Sequence, residues 1–256
     1  MTFRINRLAT LALSSTVALT LAACGGGDSA SKDGAAATTP TKLEQIAPPA
    51  GKKWTEVVSR TPEGNYVMGN PNAKVKLIEY GALTCSHCGE FSRESADLEN
   101  VYVASGQVAF EFRNYMLSAW DMPLAMLTRC SGPERFFPLT ANVFASQEDM
   151  FKQMQSLSQT DAQQIEALQP LQRPAAMAKA AGLDKFFKAR GMSDAEINQC
   201  LANPADAQAL VKQAEEVSKN PAFTGTPAFM IGNTLFMLEP GQPMWAQVKA
   251  KLDAAL

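Results

Sequence analysis

Two cysteines with only two residues between them, Cys85-Ser86-His87-Cys88, are the feature that most restricts what this chain can become. The segment before them, Val75-Lys76-Leu77-Ile78-Glu79-Tyr80, has the composition of a strand that delivers the chain to Cys85. The segment after them is helical: Leu98, Val101 and Tyr102, with Phe91 one repeat earlier, form a stripe at helical spacing, and Gly106 is placed to stop it. Val108, Phe110 and Phe112 then alternate as a second strand. The order is β-α-β, and a connecting helix of this kind implies that the two strands run parallel. The cysteine pair thus stands where a strand turns into a helix.

The rest of the chain divides by the same patterns. Upstream, Thr55 to Ser59 and Tyr66 to Met68 flank the turn-forming Pro62-Glu63-Gly64-Asn65 and predict a hairpin. From Leu117 to Asn220 there is no strand pattern, but helix signals recur. Ser193-Asp194-Ala195-Glu196 reads as a capping box, and Asn203 before Pro204 as an N-cap with proline at the first helical position, Leu210, Ala214 and Val217 continuing one face. Residues 117–220 are therefore read as an all-helical insertion between residues 54–116 and residues 221–256 of an α/β core. In the last part, Ala228 to Ile231 and Leu235 to Leu238 bracket the hairpin turn Gly232-Asn233, and Trp245, Val248 and Leu252 mark a closing helix.

A sulfur at a helix N-terminus meets unpaired backbone N–H groups and the positive end of the helix dipole, both of which favour an anion. Cys85 is expected to ionise easily: a shift from about 8.5 to about 5 represents roughly 5 kcal/mol in favour of thiolate. Cys88, one turn deeper, is less exposed. That asymmetry makes Cys85 the attacking and attacked sulfur and Cys88 the one that resolves the mixed disulfide, against the alternative of a purely structural bridge. His87, the one histidine of the chain, can donate to the Cys85 thiolate or place positive charge near it, which would stabilise the dithiol form. Cys85, His87 and Cys88 also suit a soft metal. Zinc lacks a fourth nearby ligand, which leaves two-thiolate Cu(I) binding as the metal alternative, and no resident metal or cofactor is expected.

The chain begins with Arg4 and Arg7 ahead of an uncharged apolar run from Leu8 to Ala23, the pattern of a secretory signal and too short for a membrane span. Residues 1–23 are read as that signal. Leu21-Ala22-Ala23-Cys24 resembles the bacterial lipobox, in which cleavage precedes a cysteine that carries a lipid, and Gly25 to Gly27 follow. From Cys24 to Lys53 the composition is Gly, Ala, Ser, Thr and Pro with few large apolar side chains, which reads as a flexible tether. Loss of Arg4 and Arg7 takes the formal net charge from −2 to −4, which argues against a nucleic-acid partner. Of the five cysteines, Cys24 takes the lipid, and the other four leave no surplus. Export into an oxidising compartment suits one reactive pair, Cys85 and Cys88, and one structural disulfide, Cys130 with Cys200, against the alternative that the latter two are buried free thiols.

The strand into Cys85-Ser86-His87-Cys88, together with Thr226-Pro227-Ala228-Phe229, resembles the DsbA-like branch of the thioredoxin superfamily. The resemblance runs along nearly the whole mature domain and implies a thioredoxin fold with an inserted all-helical domain. Residue by residue, it places Pro227 as the family's cis-proline beside the redox pair, Thr226 as the position that accepts an extended substrate, and Glu79 as the buried acid beneath the pair and proton acceptor for Cys88. A Cys130–Cys200 bridge is also carried by some DsbA-like proteins. Ser86 departs from the pattern, standing where many strongly oxidising members have proline. Threonine before the cis-proline also occurs in isomerase and reductase branches.

The function so implied is thiol:disulfide exchange with exported, cysteine-containing proteins, by a monomer that is lipid-anchored on the periplasmic face of a bacterial membrane and recycled by a membrane redox partner. Disulfide donation is the leading direction. The alternatives are a reductase or isomerase on the same fold, or a Cu(I)-binding lipoprotein. Cys24→Ser is expected to release the protein from the membrane fraction with exchange activity intact; a variant that fractionates with membranes as tightly as the parent overturns the lipidation reading.

Overall fold

A computed structural model describes residues 43–256. The signal segment, the lipidation position Cys24 and the tether up to residue 42 lie outside the described residues. The remainder of the expected tether is not a free linker. Leu43 is buried, the Ile46 N–H donates to the Ser105 carbonyl at 2.8 Å, and the Trp54 indole donates to the Ile46 carbonyl at 2.8 Å. The segment has few apolar residues, and it spends them on the folded body, whose described part therefore begins at Leu43 and not at residue 54.

A single sheet of six strands organises the fold, in the order β1-β2-β4-β3-β5-β6. The strands are β1 (Val58–Arg60), β2 (Tyr66–Gly69), β3 (Val75–Gly81), β4 (Val108–Asn114), β5 (Ala228–Ile231) and β6 (Thr234–Met237). β3 and β4 are parallel, with Leu77 opposite Phe110 and Glu79 opposite Phe112, and every other pairing is antiparallel. The expected first hairpin forms, but its first strand starts at Val58. Trp54–Glu56 is a short 3-10 turn, held by the Glu56 carboxylate, which accepts from the Lys53 N–H at 2.9 Å.

Helix α1 (Ser86–Glu94) connects β3 to β4 with a π-helical turn at Leu98–Val103. The wider winding of a π turn, with i→i+5 hydrogen bonds, changes which side chains face inward. Tyr102 and Val103 are buried, whereas Val101, which α-helical spacing places in the apolar stripe, is 41 % exposed. Gly106, at φ 78°, ends the segment where a Cβ would lie 2.4 Å from the Trp54 indole nitrogen; the close approach and the left-handed backbone both require glycine.

Between β4 and β5 run α2 (Asp121–Cys130), α3 (Pro133–Ala145), α4 (Gln147–Gln155), α5 (Gln159–Ala167), α6 (Arg173–Ala180), α7 (Leu183–Lys188), α8 (Asp194–Leu201) and α9 (Pro204–Ser218). The capping box at α8 is complete, since the Ser193 hydroxyl accepts from the Glu196 N–H and Glu196 accepts from the Ser193 N–H. Asn203 caps α9 through the N–H groups of Ala205 and Asp206. The chain closes with α10 (Met244–Ala255), which buries Val248 and Leu252.

Alternation along β3 decides what lies under α1. Leu77 and Glu79 point to the face covered by α1, α3 and α10, while Ile78 and Tyr80 point to the other face, against Val217 of α9 and Phe223. On the first face Phe136 of α3 stacks on Tyr66 at 4.3 Å, and Phe91 of α1 meets Phe229 of β5 edge-on at 4.7 Å.

Cys130 at the end of α2 is bonded to Cys200 of α8, 70 residues on in sequence. Beside it Arg129, 2 % exposed, pairs with Asp206 of α9 at 2.9 Å and with Asn65, and the Arg129 carbonyl accepts from the Tyr66 hydroxyl. Closing a loop of this length stabilises by about 4 kcal/mol through the unfolded state. A Cys130→Ala, Cys200→Ala variant should lose up to that amount in urea denaturation, while the Cys85 and Cys88 thiols keep their reactivity. Unchanged stability against the unreduced parent would count against the bridge.

Candidate active site

Cys85 is the N-cap residue of α1. Its backbone is extended, at φ −84° and ψ 119°, and its sulfur accepts from the Cys88 N–H at 3.3 Å. A sulfur here takes the place of the oxygen that usually satisfies the first orphan N–H groups of a helix. The Cys85 thiol also reaches the Thr226 carbonyl at 3.3 Å.

These contacts separate the two sulfurs chemically. Hydrogen bonding from the Cys88 thiol is the largest influence on Cys85; together with the Cys88 and His87 N–H groups it lowers the pKa from 9.0 to about 6. Burial opposes the shift, which is why it stops short of the value expected for a freely exposed helix tip. Cys88 moves the other way, well above its ordinary value, first because burial penalises its thiolate and then because it faces Cys85 and Glu79. The difference in exposure is smaller than the sequence suggests, 5 % for Cys85 against 0 % for Cys88. Chemistry, more than accessibility, sets the two apart.

Glu79 lies under the pair, 3 % exposed, with its pKa raised to about 8, chiefly by burial and then by the Cys85 charge. Its environment contrasts with that of Glu111, equally buried on the opposite face of the sheet but paired with Arg113 at 2.6 Å and Lys76 at 3.6 Å. Glu79 Oε1 has no hydrogen-bond partner among the described residues, and neither has the Thr140 hydroxyl. Both side chains border one cavity of about 270 Å³, between α1, the π turn and α3. A carboxyl group in that position can hold a proton at neutral pH and exchange it with the buried thiol above.

Thr226 and Pro227, joined by a cis peptide bond, stand beside Cys85. With His87, Glu90 and Glu94 of α1 and the segment Met237–Met244 they line a groove of about 550 Å³. His87 is exposed, and its imidazole makes no hydrogen bond or ion pair among the described residues; its contribution to Cys85 comes through the backbone N–H. The side-chain contact expected for it is therefore absent, because at the second position of α1 the side chain points outward while the N–H points at the cap. Ser86, also exposed, sits at the first helical position. Among the described residues no three His, Cys, Asp or Glu side chains gather closely enough to hold a metal ion. Cys130 and Cys200 belong to the helical layer and are not part of this site.

Three residues around the site carry no sequence motif. Asp121, fully buried at the start of α2, accepts from the Thr84 N–H at 2.9 Å, the Thr84 hydroxyl at 2.7 Å and the Ser118 N–H at 2.8 Å. Gln147 and Gly89 meet just behind Cys85. The available signals are faint: a glycine inside a helix directly after Cys88, and an acidic residue opening the helical block.

A thioredoxin family model matches residues 61–254. Among curated proteins, a candidate protein-disulfide oxidoreductase of Rickettsia bellii is 24 % identical over 199 residues, covering 77 % of this chain and 68 % of that one. A second, from Rickettsia conorii, is 25 % identical over 197 residues, covering 76 % and 62 %. A solved structure named as a protein-disulfide isomerase from Novosphingobium aromaticivorans is 31 % identical, with a TM-score of 0.68, and covers 75 % of this chain and 96 % of its own. The α-DsbA1 protein of Wolbachia pipientis has the same fold at 19 % identity and a TM-score of 0.58, covering 77 % and 92 %.

The pKa of Glu79 has a consequence for stability. The folded protein keeps the Glu79 proton up to about pH 8, whereas the unfolded chain releases it near the ordinary 4.5. Between those values the folded state binds the extra proton, so stability falls as pH rises through the window, by up to about 1.4 kcal/mol per pH unit. The depressed Cys85 pKa gives the opposite slope above about pH 6 and cancels when parent and variant are compared. Reduced Glu79→Gln should therefore gain on the reduced parent steadily between about pH 5 and about pH 8 in urea denaturation. Parallel curves would mean that Glu79 is ionised in the fold.

Proposed function

The chain belongs to the thioredoxin family and is a DsbA-like thiol:disulfide oxidoreductase acting on protein cysteines, and we propose that it works as a disulfide donor to exported proteins. The observation that carries this direction is the opposite displacement of the two thiols. Cys85, with a pKa of about 6, is a thiolate at neutral pH; Cys88 is a thiol. A group that ionises at about 6 instead of 9.0 stabilises the reduced protein by about 1.4 kcal/mol at pH 7, which raises the potential of a two-electron couple by about 30 mV. Whatever favours the thiolate makes the disulfide a stronger oxidant.

In the exchange, a substrate thiolate attacks the Cys85 sulfur of the oxidised pair, and Cys88 leaves as a thiolate that takes a proton from Glu79. A second substrate thiolate then attacks the substrate sulfur of the mixed disulfide, expelling Cys85 in its stabilised thiolate form. One disulfide is formed in the substrate and one is reduced in the enzyme. Pro227 and Thr226 hold the substrate as an extended segment along the groove, with His87 on its opposite wall. Reoxidation falls to a membrane partner, and the chain works at the periplasmic face, anchored through Cys24.

A reductase or isomerase is the second reading, favoured by Thr226 before the cis bond and by the name of the relative from Novosphingobium aromaticivorans. Equilibration of the Cys85–Cys88 couple with glutathione separates them. A donor should show a potential above about −180 mV and oxidise a reduced model protein faster than it reduces insulin. A potential near about −270 mV, with insulin reduction dominant, overturns donation and leaves the exchange chemistry standing.

A further inference from the structure

The strand-to-helix loop that carries Cys85 is held from the helical layer, and one contact in it has no counterpart in the sequence motifs. Gln147, the first residue of α4, is buried behind the loop. Its side-chain Nε2 donates to the Leu83 carbonyl at 2.9 Å and to the Cys85 carbonyl at 2.9 Å. The Cys85 carbonyl also accepts from the Gly89 N–H at 3.1 Å, a hydrogen bond of the first turn of α1. Both N–H groups of the amide are thus aimed at backbone oxygens next to the reactive sulfur.

Gly89 provides an independent observation from the other side. A Cβ there would lie 2.2 Å from Gln147 Oε1 and 2.9 Å from its Cδ, so a side chain at 89 and the carboxamide in this position exclude one another. Inside a helix glycine costs up to about 1 kcal/mol relative to alanine. The site keeps it directly after Cys88, where the carboxamide enters.

We propose that Gln147 is a positioning residue for Cys85: from the helical layer it fixes the Cys85–Ser86 peptide, so that the sulfur stays on the N–H groups of the first turn of α1. The peptide plane after Cys85 determines where the following N–H groups point, and the sulfur of an N-cap residue is held by those groups. The two amide donors also offset the negative ends of the Leu83 and Cys85 carbonyls beside a sulfur that becomes negative. This role rests on exchange at Cys85 and is indifferent to the direction of electron flow.

The test uses the whole chain with its Cys130–Cys200 bridge intact. Gln147→Glu keeps the volume and sets a carboxylate against the two carbonyl oxygens. It should raise the Cys85 pKa, read as thiolate absorbance against pH, by about one unit. At pH 7 the equilibrium constant with glutathione should fall about fivefold towards the less oxidising side, about 20 mV for this couple. Gly89→Ala, which favours the helix, should shift both readouts in the same direction by displacing the carboxamide. In a Gln147→Ala background it should shift neither, as two sites in contact require. Unchanged titration and potential in both single variants, or a Gly89→Ala effect that persists in full without Gln147, overturns the role. A parent protein whose Cys85 titrates as an ordinary thiol removes the proposed exchange site and this inference with it.

Discussion

The hydrogen bond from the Cys88 N–H to the Cys85 sulfur, at 3.3 Å, is the contact on which the rest of the site depends. It makes a cysteine serve as a helix cap, and a helix cap accepts hydrogen bonds best as an anion. The acidity of Cys85 is therefore a property of the junction between β3 and α1 more than of either element. Helix α1 can hold the junction only while its apolar side stays down. Phe91, 1 % exposed and packed on Phe229, together with Trp245 of α10, anchors that side to the sheet.

Two carboxylates in the sheet show how burial and pairing set charge. Glu111 shares its face with Arg113 and Lys76, and both cations pair with it. Glu79, two residues from the end of β3, meets Phe112 and Phe229 on the neighbouring strands and no cation. Desolvation without a partner favours the neutral acid. The same burial that keeps Cys88 a thiol thus keeps a proton close to it. Proton and sulfur chemistry are coupled because both groups lie beneath one helix turn.

The helical layer does more than cover the sheet. Asp121 of α2 and Gln147 of α4 both reach the loop between β3 and α1, the first at Thr84 and the second at Leu83 and Cys85. The loop backbone is buried, and buried backbone groups need partners. Those partners come from residues 37 and 62 positions away in sequence, while the Cys130–Cys200 bridge and the Arg129–Asp206 pair tie α2 to α8 and α9.

Local chemistry was legible in the sequence. The cysteine pair after a strand, the alternation of Val108, Phe110 and Phe112, the capping box at Ser193, the N-cap at Asn203 and the turn at Gly232-Asn233 all depend on neighbours within a few residues, and all appear where their spacing puts them. So did the pairing of Cys130 with Cys200, from the cysteine count in an oxidising setting. Tertiary structure decided what depends on distant partners. Leu43 and Ile46 look like part of a linker until the surface that receives them exists, and Val101 faces outward because the helix widens to a π turn. His87 lies between the cysteines in sequence but turns its ring into the groove, while Gln147, which no motif marks, holds the Cys85 carbonyl. Spacing along a chain carries the period of a helix or strand; which polar atoms end up without water, and so must find each other, is known only once the layers have closed.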